Sequence, residues 1–492
     1  MEFSPEQQIA FDKYVQGQNI FITGPGGAGK SALIKYIQKD AFTRGKNIQV
    51  CAMTGCAAVL LECKAKTIHS WSGIGLGNGT TEEVIGKIVR NKYRKKMWKE
   101  VDILVLDEVS MMSQKLFDLL DTVGKIVRRN KSKPFGGIQL IFSGDFYQLP
   151  PVPTKDEPDT EKFCFESLMW FQTFPLQNHI ILIKIFRQND ETYRRILNQV
   201  REGRIRRSSL DILLQQVGKT IPSEQLVVRP TKLFPIRNRV DYINSVEMER
   251  LPGEETLFKL KYHFDLEVSA SSGQKNISQK PTKEQIHNEL MHLQSNLRCE
   301  ETIKLKIGSQ VMCIVNMELT NGDMLCNGSQ GIVVGYKETN CGTSMVTCPV
   351  VKYTSGYEIA MTPHMWPSEN IPGIGVSQIP LILAWALTIH KAQGATLDIA
   401  EVDAGSGIFE CGQTYVALSR VKSLEGLYLT SFDVTRIRIH KKVQEFYNLL
   451  DETQKQPKPV PLIKQSEQEL ELEEIEQLTE PSTTNNKNIN LV

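Results

Sequence analysis

The chain has no apolar run approaching the roughly 20 residues that a membrane-crossing helix needs, so no membrane partner is expected. It has almost no net charge either: 58 basic against 56 acidic side chains leave a formal +2. A chain-wide basic field is therefore excluded, and any nucleic-acid contact must be a local groove. Ten cysteines are present, but none forms a C-x-x-C pair. The densest group, Cys51, Cys56 and Cys63, has the spacing of no common zinc or iron–sulfur signature and reads as reduced thiols. The residues from Met1 to Glu6 carry neither the apolar core of a signal peptide nor the Arg-rich, acid-poor composition of a transit peptide. The expected compartment is intracellular and reducing, with nucleus, cytoplasm and viral replication site left open.

What is present is an alternation. At 492 residues, 40% of them hydrophobic, two or more domains are expected. Short apolar runs at residues 19–23, 47–52, 103–106 and 138–143 alternate with helix-like stretches, the rhythm of a parallel sheet covered by helices. Residues 63–99 interrupt it with a Gly-rich piece (Gly73, Gly75, Gly77, Gly79) and a basic piece from Arg90 to Lys99, read as a small insertion. A second α/β rhythm starts near His179 and resumes at Leu381. Between them, residues 265–300 are polar and of no assigned role. Short β runs at 303–315, 331–336, 346–353 and 358–361, punctuated by Gly308, Gly328, Gly342 and Gly356, suggest a small antiparallel barrel. Residues 451–492 read as a flexible acidic and polar tail, a candidate for binding a protein partner. The expected domains are 1–178 with an insertion at about 63–99, 179–450 with an insertion at about 255–376, and the tail.

The strongest local signal runs from Gly24 to Ser31 and matches G-x-x-x-x-G-K-[ST] between an apolar strand and a helix. Gly24, Gly26, Gly27, Ala28 and Gly29 can turn successive backbone amides around phosphate oxygens. The helix start adds its positive end. Lys30 then reaches the β- and γ-phosphates, and Ser31 ligates Mg²⁺. Asp107 and Glu108 end a hydrophobic strand, where ligands gather in such sheets. Asp107 is expected to hold Mg²⁺ and Glu108 to orient and deprotonate the attacking water. The expected chemistry is ATP hydrolysis, with Mg²⁺ as cofactor.

Further phrases occur in a fixed order. Ser4-Pro-Glu-Gln7-Gln is followed by Met53-Thr-Gly-Cys-Ala-Ala58 and Thr67-Ile-His-Ser-Trp-Ser-Gly-Ile-Gly75. Then come Ser143-Gly-Asp-Phe-Tyr-Gln-Leu-Pro-Pro151, Phe186-Arg187-Gln188, the stretch from Leu383 to Asp398, and Thr414-Tyr-Val-Ala-Leu-Ser-Arg420. Over residues 3–449 this order resembles the superfamily 1 group B helicases, and within them the petite-integration-frequency (PIF-type) DNA helicases. Met53 departs from the family, which usually has Pro there.

The resemblance implies two RecA-like parallel-sheet motor domains with small inserted subdomains, one of them an SH3-like β-barrel. It gives Gln7 the adenine contact and places Gln148 near the γ-phosphate. It draws Arg187 and the arginine finger Arg420 from the second motor domain. Thr54, Gly55, His69, Trp71, Thr388, His390 and Lys391 fall in the family's strand-contacting motifs. Gly394, in the strand-gripping motif, is assigned to the nucleotide side, with close backbone approach as the plain alternative. The implied activity is 5′-to-3′ translocation on single-stranded DNA and unwinding of forked duplex, in replication, repair or recombination, by a monomer or weak oligomer. An RNA- or hybrid-directed translocase is the alternative. Several residues stay open between two roles. Trp71 either stacks on a base or packs in a core, and Asp145 either serves the motif it stands in or only shapes its turn. The basic run from Arg90 to Lys99 reads as a solvated helix face with Trp98 turned inward.

Overall fold

In the computed structural model the described residues are 3–61, 63–75, 80–154, 157–220, 228–264, 282–297, 299–319, 324–341, 344–368, 371 and 373–455. Gly77, Gly79, Gly342, residues 265–281 and 298 of the 265–300 stretch, and the tail beyond 455 lie outside them. Six parallel strands build the first sheet: β1 (Ile20–Thr23), β2 (Ile48–Ala52), β3 (Lys66–Thr67), β4 (Ile103–Asp107), β5 (Gln139–Gly144) and β6 (His179–Ile181). Their order is β3-β2-β4-β5-β1-β6. The central strands β1 and β4 are buried along their whole length, which is why they read as unbroken apolar runs.

Side-chain alternation sorts the two faces of this sheet. Ile20, Ile22, Val105 and Ile141 pack with Leu33, Ile34 and Ile37 of α2 (Lys30–Thr43). Phe21 and Phe142 point the other way, into an aromatic cluster with Trp170, Phe174 and Phe117. Full burial of such side chains contributes about 1.5–3 kcal/mol each. At the N-terminus, Ser4 caps α1 (Pro5–Val15) in a reciprocal box with Gln7, with Pro5 in the first turn where its missing N–H costs nothing.

His179–Ile181 was expected to open the second lobe. It is instead hydrogen-bonded to β1 as the outer strand of the first sheet. The second parallel sheet contains β7 (Thr231–Phe234), β8 (Ala386–Thr388), β9 (Ala400–Ala404) and β10 (Leu427–Phe432), ordered β8-β7-β9-β10. Its core takes Tyr193, Ile196, Leu197 and Val200 from α3 (Glu191–Arg201) together with Leu233, Val402 and Leu427.

The expected β-rich insertion is antiparallel. Glu358–Ala360, Ser344–Tyr353, Gln330–Cys341, Gln310–Cys313 and Leu381–Leu383 make a five-stranded sheet in that order, beside smaller sheets of three and two strands. Two details differ from the sequence reading. The run at 303–315 splits at Gly308, whose φ of 93° ends one strand before the next begins. Leu381–Leu383 pairs with Gln310–Cys313, so the parallel pattern resumes only at Ala386. The other insertion is helical, with helices at Ile68–Ser72, Thr81–Arg90 and Lys92–Glu100. Residues 1–445 form one compact unit. Residues 446–492 form a second, whose described part, to 455, is the remainder of the helix Lys441–Lys455. No helix among the described residues is long and apolar enough to cross a membrane.

Candidate active site

The loop between β1 and α2 is shaped by its glycines. Gly27 and Gly29 have φ of 84° and 83°, in the left-handed region. A Cβ at Gly27 would stand 2.5 Å from the Cβ of Arg187. Gly29 caps α2 without any side-chain hydrogen bond, so the first amides of the helix stay directed at the loop's concavity, a ready-made anion site. Lys30 Nζ donates to the carbonyls of Gly24 (2.7 Å) and Pro25 (3.1 Å). Burial lowers its pKa, and Asp145, Glu108 and Asp107 oppose that shift. Gln7 is fully buried. Its amide receives the Ser4 N–H and donates to Gly29 O at 3.4 Å, so it braces the loop. The ring of Phe186 flanks the same glycine.

Two carboxylates face the loop from the end of β4. Ser31 Oγ lies 3.4 Å from Asp107 Oδ2, a pair of hard oxygen donors at the sheet's C-terminal edge. Glu108 adopts φ 57°, ψ 39°, a left-handed conformation that costs a non-glycine residue about 1–3 kcal/mol. Desolvation raises the pKa of Asp107. Desolvation, then the charge of Asp107, pushes Glu108 up to about 7, against the pull of Lys30 and Arg420. Gln393, on the segment after β8, donates to Glu108 Oε2 at 3.3 Å. Nothing local in the sequence marks that contact.

Two guanidiniums meet the loop at Gly26. A Cβ there would lie 3.2 Å from Arg420 Nη2 and 3.4 Å from Arg187 Nη1. Arg420 is 2% exposed and is fixed by bonds to Val416 O and Ser419 Oγ. Arg187 was expected from the second lobe. It sits on the segment following β6, whose Phe186 N–H bonds to Gly27 O, and it reaches across to Ser419 O. Gln188 anchors the same segment to the carbonyls of Ser419 and Val421. Desolvation, then the neighbouring Arg420, lowers the Arg187 pKa to about 9. An anionic phosphoryl group between the two cations relieves that repulsion.

Asp145 does more than shape a turn. Fully buried, it takes three hydrogen bonds of 2.8–3.2 Å from Arg201, at the end of α3 and thus in the second core. Arg201 also lies over the Tyr147 ring, 4.5 Å from its centroid. Gln148 shares the turn, with Nε2 3.5 Å from Asp145 Oδ2. The loop after β5 is thereby tied to α3 by a buried ion pair.

The expected strand-contacting residues fall at or just after the C-terminal ends of strands β2, β3 and β8. Thr54 follows β2 and caps the helix Gly55–Leu61. His69 follows β3. Thr388 ends β8, accepts the Lys391 N–H and is 8% exposed, while His390 is exposed and stacked on Phe409. Desolvation lowers the pKa of both His69 and His390, with Glu410 opposing the shift at His390. Gly394 turns the chain with φ 81°. Trp71 is a correction: it is 1% exposed and packed on Trp98 at 4.8 Å, leaving no ring face to stack on a base. Trp98 is also buried, donating to Ser72 O, while the rest of its helix carries the exposed basic face.

Residues 2–210 match the family model of PIF1-like helicases, and residues 290–336 match the 2B domain of the DNA helicase Pif1. The ATP-dependent DNA helicase PIF1 of Emericella nidulans is 35% identical over 94% of this chain, and the chain spans 65% of that protein's length. The crystal structure of Pif1 helicase from Candida albicans is 34% identical, covers 92% of this chain and 100% of that one, and has a TM-score of 0.70. A Bacteroides Pif1 structure in complex with ADP-AlF3 and ssDNA is 26% identical, with a TM-score of 0.60 over 92% and 98% of the two chains.

Proposed function

The chain belongs to the PIF1-like helicase family, and from that premise we propose that it is an ATP-dependent DNA helicase. It moves 5′-to-3′ on single-stranded DNA and opens forked duplex. The observation that carries this reading is the convergence of Arg187 and Arg420 on Gly26, because a triphosphate there is gripped by a loop of one lobe and a side chain of the other. Such a pocket is stable only when the lobes are closed. Binding ATP favours closure, and hydrolysis removes that preference.

Ser31 and Asp107 supply the oxygen donors that fit Mg²⁺, which when bound screens the phosphate charge. Lys30 and the loop amides hold the phosphates. Glu108 orients the attacking water and accepts its proton, a role suited to a carboxylate whose pKa lies near 7. The Asp145–Arg201 pair passes the state of the Gln148 turn to the second core. Thr54, His69, His390 and Lys391 hold the strand by its backbone, without regard to sequence. The domain reading remains two RecA-like lobes and a tail, with the first sheet extended to Ile181 and the five-stranded insertion read as SH3-like. The tail is the candidate site for a protein partner, and the active form is a monomer or weak oligomer.

Unwinding of 5′-tailed and 3′-tailed duplexes tests the proposal. The 5′-tailed substrate is expected to be opened in the presence of ATP and Mg²⁺, and Lys30→Ala to abolish opening. Exclusive opening of the 3′-tailed duplex would overturn the polarity. No opening of either, with ATPase intact, would leave a translocase.

A further inference from the structure

The amide of Gly26 donates a hydrogen bond of 2.9 Å to the hydroxyl of Tyr415. Tyr415 lies on α4 (Gln413–Leu418), a short buried helix that leads directly to Arg420. The loop it touches has two chemically different ends. Gly29 faces Gln7 and Phe186, an amide and an aromatic ring suited to a base. Gly26 faces the two guanidiniums, which suit the terminal phosphate. Tyr415 therefore meets the loop at the end where a triphosphate differs from a diphosphate.

We infer that the Tyr415 hydroxyl competes with the third phosphate for the Gly26 amide, and so sets the preference between ATP and ADP. The inference rests on the nucleotide-site reading above. The phenol is 3% exposed, and burial pushes its pKa up to about 12, so it stays neutral. A neutral hydroxyl holds an amide less strongly than a phosphate oxygen does. ATP can thus displace it, but the exchange cancels part of the gain. ADP brings no third phosphate and leaves the bond in place. The ring lies on the short helix that leads to the arginine finger, and Arg420 Nε bonds back to Val416 O of that helix. Arrival of the third phosphate therefore acts on the segment that carries Arg420.

The test compares Tyr415→Phe with the wild-type full chain, measuring Kd for ADP and for a non-hydrolysable ATP analogue, both with Mg²⁺. Loss of one neutral hydrogen bond to the amide is expected to tighten the analogue by about threefold to tenfold, with ADP unchanged within about twofold. Tyr415→Met, which also lacks the hydroxyl, should raise the same ratio. An unchanged ratio, equal shifts for both nucleotides, or weaker analogue binding would overturn the inference. Failure of the wild-type chain to bind either nucleotide would instead remove the nucleotide-site reading, and this inference with it.

Discussion

Replacing Arg420 with Ala is expected to lower DNA-stimulated ATP turnover by about 10³–10⁵-fold, the range typical of a lost arginine finger. The side chain is already fixed by two hydrogen bonds and directed at Gly26, so it needs little reorganisation to meet a developing negative charge. Ground-state binding should suffer far less, because Lys30 and the loop amides remain. The split distinguishes the two effects: kcat falls while the Kd of a non-hydrolysable ATP analogue stays within a few-fold. Arg420→Lys keeps the charge but loses the planar fork, and should recover only part of the rate. Equal losses of binding and turnover would mean that Arg420 serves to shape the pocket.

Glu108→Gln is expected to reduce turnover by about 10²–10⁴-fold, the usual contribution of a positioned base. The substitution keeps the size of the side chain and its reach to Gln393, and asks for the same backbone conformation. It also removes a negative charge beside Asp107, which relieves repulsion between the two groups. Binding of Mg²⁺ with nucleotide should therefore survive, and so should ATP-dependent association with single-stranded DNA. Steady-state ATPase alongside DNA binding reads both. Retained turnover would assign the water to another group.

Glu108 is legible from a local pattern, a hydrophobic strand ending in Asp-Glu, whereas Arg420 is assigned only through the family resemblance. Strands β1, β2, β4 and β5 are legible because a parallel strand buried on both faces is a short apolar run, and each falls within a residue or so of its expected position. The phosphate loop is legible because its chemistry needs glycines at fixed offsets before a helix. Apolar runs do not say which sheet receives them, so His179–Ile181 and Leu381–Leu383 were assigned to the wrong neighbours. The unseen contacts are long-range: Asp145 with Arg201, Glu108 with Gln393, Gly26 with Tyr415. They depend on how one core packs against another, and no periodicity encodes that. Trp71 shows the opposite failure. A motif position suggested a nucleic-acid contact, while Trp98, 27 positions further on, supplied the partner that buries it.

One nucleotide pocket is expected to be walled by residues far apart in the chain, Gly24–Ser31 and Gln413–Arg420. The most direct measurement is photocrosslinking with an ATP analogue that carries a short reactive group on its γ-phosphate, followed by mapping of the labelled peptides. Label is expected both near Gly24–Ser31 and within Gln413–Arg420, and excess ATP should suppress the two together. Label confined to residues before 190 would contradict the account.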